Sequence, residues 1–234
     1  MKKLTVFCAA ACLAASAAAQ NHPDLHEVLD RQKGRNLIEI PKGTYTLDVR
    51  NNGPYKFHNL TDVHINGNGS TVICNNQEQA FSFYNCVRVE LRDLTIDYDP
   101  LCFTQGEITA VAEDGSWFDV RIDEGYPVTG LAANRVQFYD PQTRLLKRNS
   151  ITTYTSNYSA LKQLGHNLFR AVKNGTWSAG EQVGDLVVMD VKTDKPNAGV
   201  HTVMLNKCYN TKLENVTVYG SNTFSFFEKE GYAN

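Results

Sequence analysis

Beyond residue 19 the sequence has no apolar run long enough to span a bilayer, no CxxC motif, no Cys/His cluster and no block of like charge. The first absence excludes an integral membrane span after the leader. The second and third leave no metal-ligand spacing, so neither a metal nor a cofactor is expected. The fourth removes the basic stripe that nucleic-acid binding needs. Six cysteines in 234 residues are too few for a disulfide scaffold. Two of them, Cys8 and Cys12, fall in the leader, and Cys74, Cys86, Cys102 and Cys208 read as buried free thiols.

The leader itself is a targeting segment. Lys2 and Lys3 form a positive start, Leu4 to Ala15 an apolar run, and Ala17-Ala18-Ala19 a small-residue cleavage site before Gln20. This pattern predicts a bacterial secretory signal over residues 1–19 and a secreted or periplasmic protein. A lipoprotein site at Cys12 is the less favoured reading, because Ala9 stands where a larger aliphatic residue is usual. Removing nineteen of 234 residues leaves 215, and loss of two lysines moves the formal charge from −2 to −4. That length suffices for one sizeable core or two small ones.

What the remainder does contain is a repeat. "FHNLTDVHING" from Phe57, "FYNCVRVELRD" from Phe83 and "LNKCYNTKLEN" from Leu205 align without gaps. Their shared columns are Phe57/Phe83/Leu205, Leu60/Cys86/Cys208, Val63/Val89/Thr211 and Ile65/Leu91/Leu213, followed by Gly67/Asp93/Asn215. The first two copies lie 26 residues apart, a solenoid-like period. Val89 and Leu91 alternate, as do Leu94 and Ile96, but Leu91 and Leu94 are three apart. Two short strands joined by a tight bend give this spacing. Asp93 and Asn215 occupy the bend, where Asx residues tolerate left-handed backbone. The first copy breaks after Gly67, and its second strand is expected near Thr71-Val72-Ile73. Such units expose an apolar edge alone and must stack, as in a parallel β-helix. Helical repeats fit poorly, because the units are rich in Val, Thr, Asn and Gly and show no 3.6 period.

The single convincing helix is "DLHEVLDRQKG" from Asp24, with Asp24 as cap, Glu27 at the capping-box position and Gly34 as its end. Its Leu25, Val28 and Leu29 are expected to cover the open end of the solenoid. "NLIEIPKGTYTLDV" then reads as the first coil, and residues 20–99 as cap helix and first coils. Copies two and three are separated by 122 residues, one period plus roughly a hundred. The excess, residues 100–199, carries "EITAVA", "WFDVRID", "RVQFYD", "LFRAV" and "DLVVMD" between turn signals "EDGS", "DPQT" and "KNGT". A small inserted β-barrel is expected there, with a sandwich as the alternative. The solenoid resumes over residues 200–234, giving an all-β fold.

"IEIPKGTYTL", the Asn/Gly-rich coils and "LTIDYDPLCFTQGEI" together resemble the pectate-lyase-like right-handed β-helix superfamily. More narrowly they resemble the secreted α-1,3-galactosidases of glycoside hydrolase family 110, in which a β-helix is interrupted by a β-barrel. The likeness covers roughly residues 36 to 234. It implies exo-acting, inverting hydrolysis of terminal α-galactose on an oligosaccharide or polysaccharide partner. Inversion needs a carboxylic acid and a carboxylate ~6.5–9.5 Å apart. In the family these lie on coils after the barrel, and here one coil follows it, so the catalytic residues are expected beyond Asn234 and the chain to be a fragment.

Within the chain the candidate sugar contacts are Asp97 and Asp99, and Glu228 and Glu230. Each pair is two residues apart, which on a strand puts both carboxylates on one face with Cα atoms roughly 6.5–7 Å apart. That suits two sugar hydroxyls, a calcium ion or an inverting pair. Against this, Asp99-Pro100 is a turn signal, and Glu228 and Glu230 fit a solvated face with Phe224 and Phe226 packed inside. His58, His64, His166 and His201 show no metal spacing, and Lys207, in the column of Asn59 and Asn85, reads as a solvated lysine. Cys86 and Cys208 share a column and are expected as a thiol ladder. The alternatives to an α-galactosidase are a calcium-dependent pectate lyase or polygalacturonase acting on acidic glycans, and a non-catalytic glycan-binding or adhesion module.

Overall fold

The computed structural model describes residues 22–147, 158–174, 180–191, 200–221 and 223–234; the signal expected over residues 1–19 lies outside them. The elements run α1 (Leu25–Asp30), β1 (Leu37–Glu39), β2 (Thr44–Leu47), α2 (Val49–Asn52), β3 (Tyr55–His58), β4 (Thr61–Cys74), β5 (Phe81–Tyr84) and β6 (Val87–Tyr98). There follow β7 (Phe103–Val111), β8 (Trp117–Ile122), β9 (Leu131–Tyr139), β10 (Tyr158–Gln163), β11 (Leu168–Lys173) and β12 (Leu186–Val191). The last three are β13 (Val203–Asn206), β14 (Lys212–Val218) and β15 (Phe226–Lys229). Among the described residues no helix is long and apolar enough to cross a membrane.

The chain forms a parallel β-solenoid. One face stacks β3–β5–β13–β15, and the other stacks β1 and β2 on β4, then β6, then β14. The register reproduces the sequence columns. Phe57 pairs with Phe83, and Phe83 with Leu205; Val63 pairs with Val89, Ile65 with Leu91, and Leu91 with Leu213. Inward residues therefore lie on copies of themselves, and the Phe57 and Phe83 rings stack at 4.7 Å. After the two extra residues between Asn66 and Ser70, β4 rejoins β6 at Ser70↔Leu94 and Val72↔Ile96, as its late second strand requires.

Three corner columns use left-handed backbone in successive coils. They are Asn59, Asn85, Lys207 and Glu230; then Asp62, Arg88, Asn210 and Ala233; then Asn68, Asp93 and Asn215. Asparagine suits such positions, and in the first column Asn85 donates its amide to Asn59 at 2.8 Å. Gly67 needs its missing side chain for another reason, since a Cβ there would sit 2.4 Å from the Asp93 carbonyl oxygen. Cys86 and Cys208 are buried and unpaired by disulfide, as are Cys74 and Cys102. The hydrogen bond with Cys208, and then burial, push the Cys86 thiol well above its usual range.

In α1 the Asp24 carboxylate accepts from the His26 amide at 2.9 Å, so the predicted cap holds. Glu27 does not complete a capping box; it accepts from Arg31 at 2.9 Å, because an i,i+4 arginine is within easy reach. Leu25 and Leu29 are buried in the apolar interior that also holds Ile38, Tyr45 and Leu47.

Between β6 and β13 the chain builds a third sheet, antiparallel, in the order β10-β11-β8-β7-β12-β9. All five runs read from the sequence are strands in it. Only β10 is additional, and "YSALKQ" has no apolar alternation to announce it. The two outer strands, β9 and β10, approach one another. The sheet has its own core, centred on Phe118, Val120, Phe138, Val187 and Met189 and separate from that of the solenoid. It also buries an ion pair, Lys173 with Glu181, both side chains fully enclosed, and burial lowers Lys173 to about 8.

Candidate functional site

The solenoid is left and re-entered at adjacent points, and a local network of polar side chains joins them. On the way out, Asp97 lies on the outward face of β6, and its Oδ1 accepts from the Tyr98 amide at 2.8 Å. Asp99 is exposed, its peptide to Pro100 is cis, and its amide donates to the Cys74 carbonyl at 3.0 Å. Buried Gln77 donates to the Leu101 carbonyl at 2.9 Å, and Cys102 donates to the Gly220 carbonyl at 2.6 Å. Thus the corner after β4, the exit and the corner after β14 are tied together.

The return supplies hydroxyls and an imidazole. The Tyr98 hydroxyl donates to the Glu78 carbonyl at 2.8 Å and lies 3.0 Å from Thr202 Oγ1, which is 2.9 Å from Ser221 Oγ. Burial raises the Tyr98 phenol far above its usual range, so it stays neutral. Next to Thr202, His201 stacks on Phe227 at 4.1 Å and on Phe224 at 5.4 Å, and its Nδ1 is 2.8 Å from Thr223 Oγ1. Burial lowers the His201 pKa, favouring the neutral ring near pH 7. Phe224 leaves 62% of its surface open. Its expected place in the core is not what the structure gives, because the corner after β14 carries it outside the inward columns.

Asp97 belongs to this site: a Cβ on Gly220, the neighbour of Ser221, would lie 3.7 Å from Asp97 Oδ1. Glu228 and Glu230 do not. Glu228 pairs with Leu205 in the inward register of β15, as Phe226 does with Val203. Its Oε1 accepts from Asn234 Nδ2 at 2.9 Å. Glu230 is the left-handed residue after the strand and sits 3.8 Å from Lys207. The two-residue spacing therefore does not put both carboxylates on one face, since the corner begins between them.

Tyr98, Thr202, Ser221 and Thr223 escaped the sequence reading, because hydroxyls carry no spacing rule. The one available signal was their position on either side of the 122-residue shift. Among the described residues no group of three or more His, Cys, Asp or Glu side chains is arranged to hold a metal ion. Hydrogen bonds lower the Glu90 carboxyl, chiefly that from His64, and the Asp62 carboxyl, chiefly that from Arg88. What the site offers is an exposed aromatic face beside neutral hydroxyls and one carboxylate, a combination suited to a sugar ring. The chain matches no protein-family model and no curated protein.

Proposed function

We propose that this chain is a secreted, glycan-directed right-handed β-helix protein, of the kind built into exo-acting α-galactosidase-type glycoside hydrolases. In this reading residues 1–19 are a signal peptide, α1 caps the first coil, and residues 100–199 are an inserted barrel-like domain. The observation that carries it is the architecture in chain order: a parallel solenoid interrupted directly after "DYDP" by an antiparallel sheet with a separate core. Asp97 and Asp99 would accept hydrogen bonds from sugar hydroxyls at the exit. Glu228 and Glu230 are kept as more distant contacts.

A second reading, glycan binding without turnover, is favoured by the exposed Phe224 face on His201. Assays of the purified chain on α-1,3-galactosyl and pectic oligosaccharides, each with and without calcium, separate these. Galactose released with inverted configuration supports the hydrolase. Calcium-dependent unsaturated products would replace it with a lyase. Binding weakened by Asp97→Asn, with no product from any substrate, would leave the binding module.

A further inference from the structure

The antiparallel sheet carries a cavity of about 230 Å³ that shares no lining residue with the exit site, and it has the make-up of a sugar subsite. Its floor is unusual for an outward face. On β12 the inward residues are Val187 and Met189, while Leu186 and Val188 point the other way and are only half-buried. Outward positions of an antiparallel sheet are ordinarily polar. Across the strands Leu186 pairs with Tyr139, and Val188 with Gln105, so an aromatic ring and an amide flank the two aliphatic side chains. Gln105 Nε2 donates to Asp123 Oδ2 at 3.0 Å. This holds the carboxylate at the rim and leaves it further acceptor capacity.

The opposite rim is the hairpin after β9. Asp140 accepts from the amides of Gln142 and Thr143, the Leu146 backbone bridges to Tyr139, and Arg144 takes left-handed backbone at φ 56°. Arg144 lines the cavity, and among the described residues no ion pair of its side chain with a carboxylate is seen. The lining thus pairs one acceptor-only group, Asp123, with one donor-only group, Arg144, over an apolar and aromatic floor, and its formal charge balances. A hydroxyl is donor and acceptor at once, so a neutral pyranose matches the lining, with its C–H face on Leu186, Val188 and Tyr139. The volume admits one ring.

We propose that this cavity binds a single neutral pyranose unit of a glycan, independently of the site at the solenoid exit. The test uses the full chain and NMR-detected titration with methyl α-D-galactopyranoside, methyl α-D-glucopyranoside and methyl β-D-glucuronide. The expected result is about millimolar affinity for a neutral pyranoside. Arg144→Asn, which keeps a residue at ease in left-handed backbone, and Asp123→Asn should each weaken it about tenfold or more. Tyr139→Phe should change it little, and Asp97→Asn, at the other site, not at all. Failure of every neutral pyranoside to bind this cavity would overturn the proposal, as would binding indifferent to both rim variants. Preference for the glucuronide, lost with salt, would overturn the neutral assignment. Loss of substrate at the exit site with these titrations intact would count against the proposed function alone.

Discussion

The solenoid and the antiparallel sheet solve the same problem, covering apolar strand faces, in opposite ways. In the solenoid each inward side chain rests on its equivalent in the coils before and after it, as Phe57, Phe83 and Leu205 do. Its polar pairs sit outside, also coil on coil: His64 to Glu90 at 2.9 Å, and Lys212 to Glu90 at 3.6 Å. In the antiparallel sheet the core is a single shared cluster, and a charged pair is enclosed with it. The first arrangement transmits support only to neighbouring coils, whereas the second depends on every strand at once.

The largest effects should come from the two cores. Phe83→Ala and Phe118→Ala remove fully buried rings, and each should cost about 3–5 kcal/mol. Because the clusters are separate, hydrogen exchange should speed up in β5, β6 and β13 for the first variant and in β8, β9 and β11 for the second. Equal loss of protection in both regions for either variant would break the comparison. Next, Lys173→Met leaves Glu181 buried without its cation and should cost about 3–5 kcal/mol, while Lys173→Met with Glu181→Leu should return most of that. Urea unfolding of the single and double variants measures the difference. A double variant as weak as the single one would mean that the enclosed pair does not act as a unit.

Smaller effects sharpen the contrast at the backbone. Gly67→Ala meets the Asp93 carbonyl, and Gly106→Ala would place its Cβ 2.1 Å from the Arg121 carbonyl. Both should cost about 1–3 kcal/mol by forcing strands apart, in the solenoid and the sheet respectively. The smallest effect is electrostatic. The His64 hydrogen bond, with help from Lys212 after a burial contribution of opposite sign, holds the folded Glu90 carboxyl below its unfolded value. Its contribution is therefore present above about pH 4.3 and is lost as pH falls through the lowered folded value. Glu90→Gln should flatten the acid limb of stability for the solenoid, as read by exchange in β4, β6 and β14, and leave that of the sheet unchanged.

The solenoid was legible in the sequence because its columns repeat, so register could be read by aligning the chain with itself. Leu213 on Leu91 and Asn215 on Asp93 could be paired across 122 residues for this reason, and Asn215 does donate to Asp93 at 2.7 Å. The strands of the antiparallel sheet were visible as alternation, but their order was not, since nothing in "LFRAV" says that β8 will be its neighbour. At the candidate site, Asp97 was legible as an outward residue. The hydroxyl network was not, because its members come from corners whose proximity only the stacking defines. The corner columns were half-legible: Asn59 and Asn85 point to left-handed backbone, whereas Lys207, Arg88, Glu230 and Ala233 adopt it without any such hint.

The two ends of the long excursion meet on one rung. Asp99 donates to the Cys74 carbonyl, and the Thr202 carbonyl accepts from the amides of both Ala80 and Phe81. Departure and arrival thus both touch the stretch that links β4 to β5, with the Tyr98 and Thr202 side chains in contact between them. Seen from the stacked rows, the hundred residues between are a parenthesis: Leu205 settles on Phe83 as the next short corner would have placed it. On the proposed reading of residues 100–199 as an insertion, foreign segments spliced between Asp99 and Thr202 should leave the pairing of Leu205 with Phe83 intact.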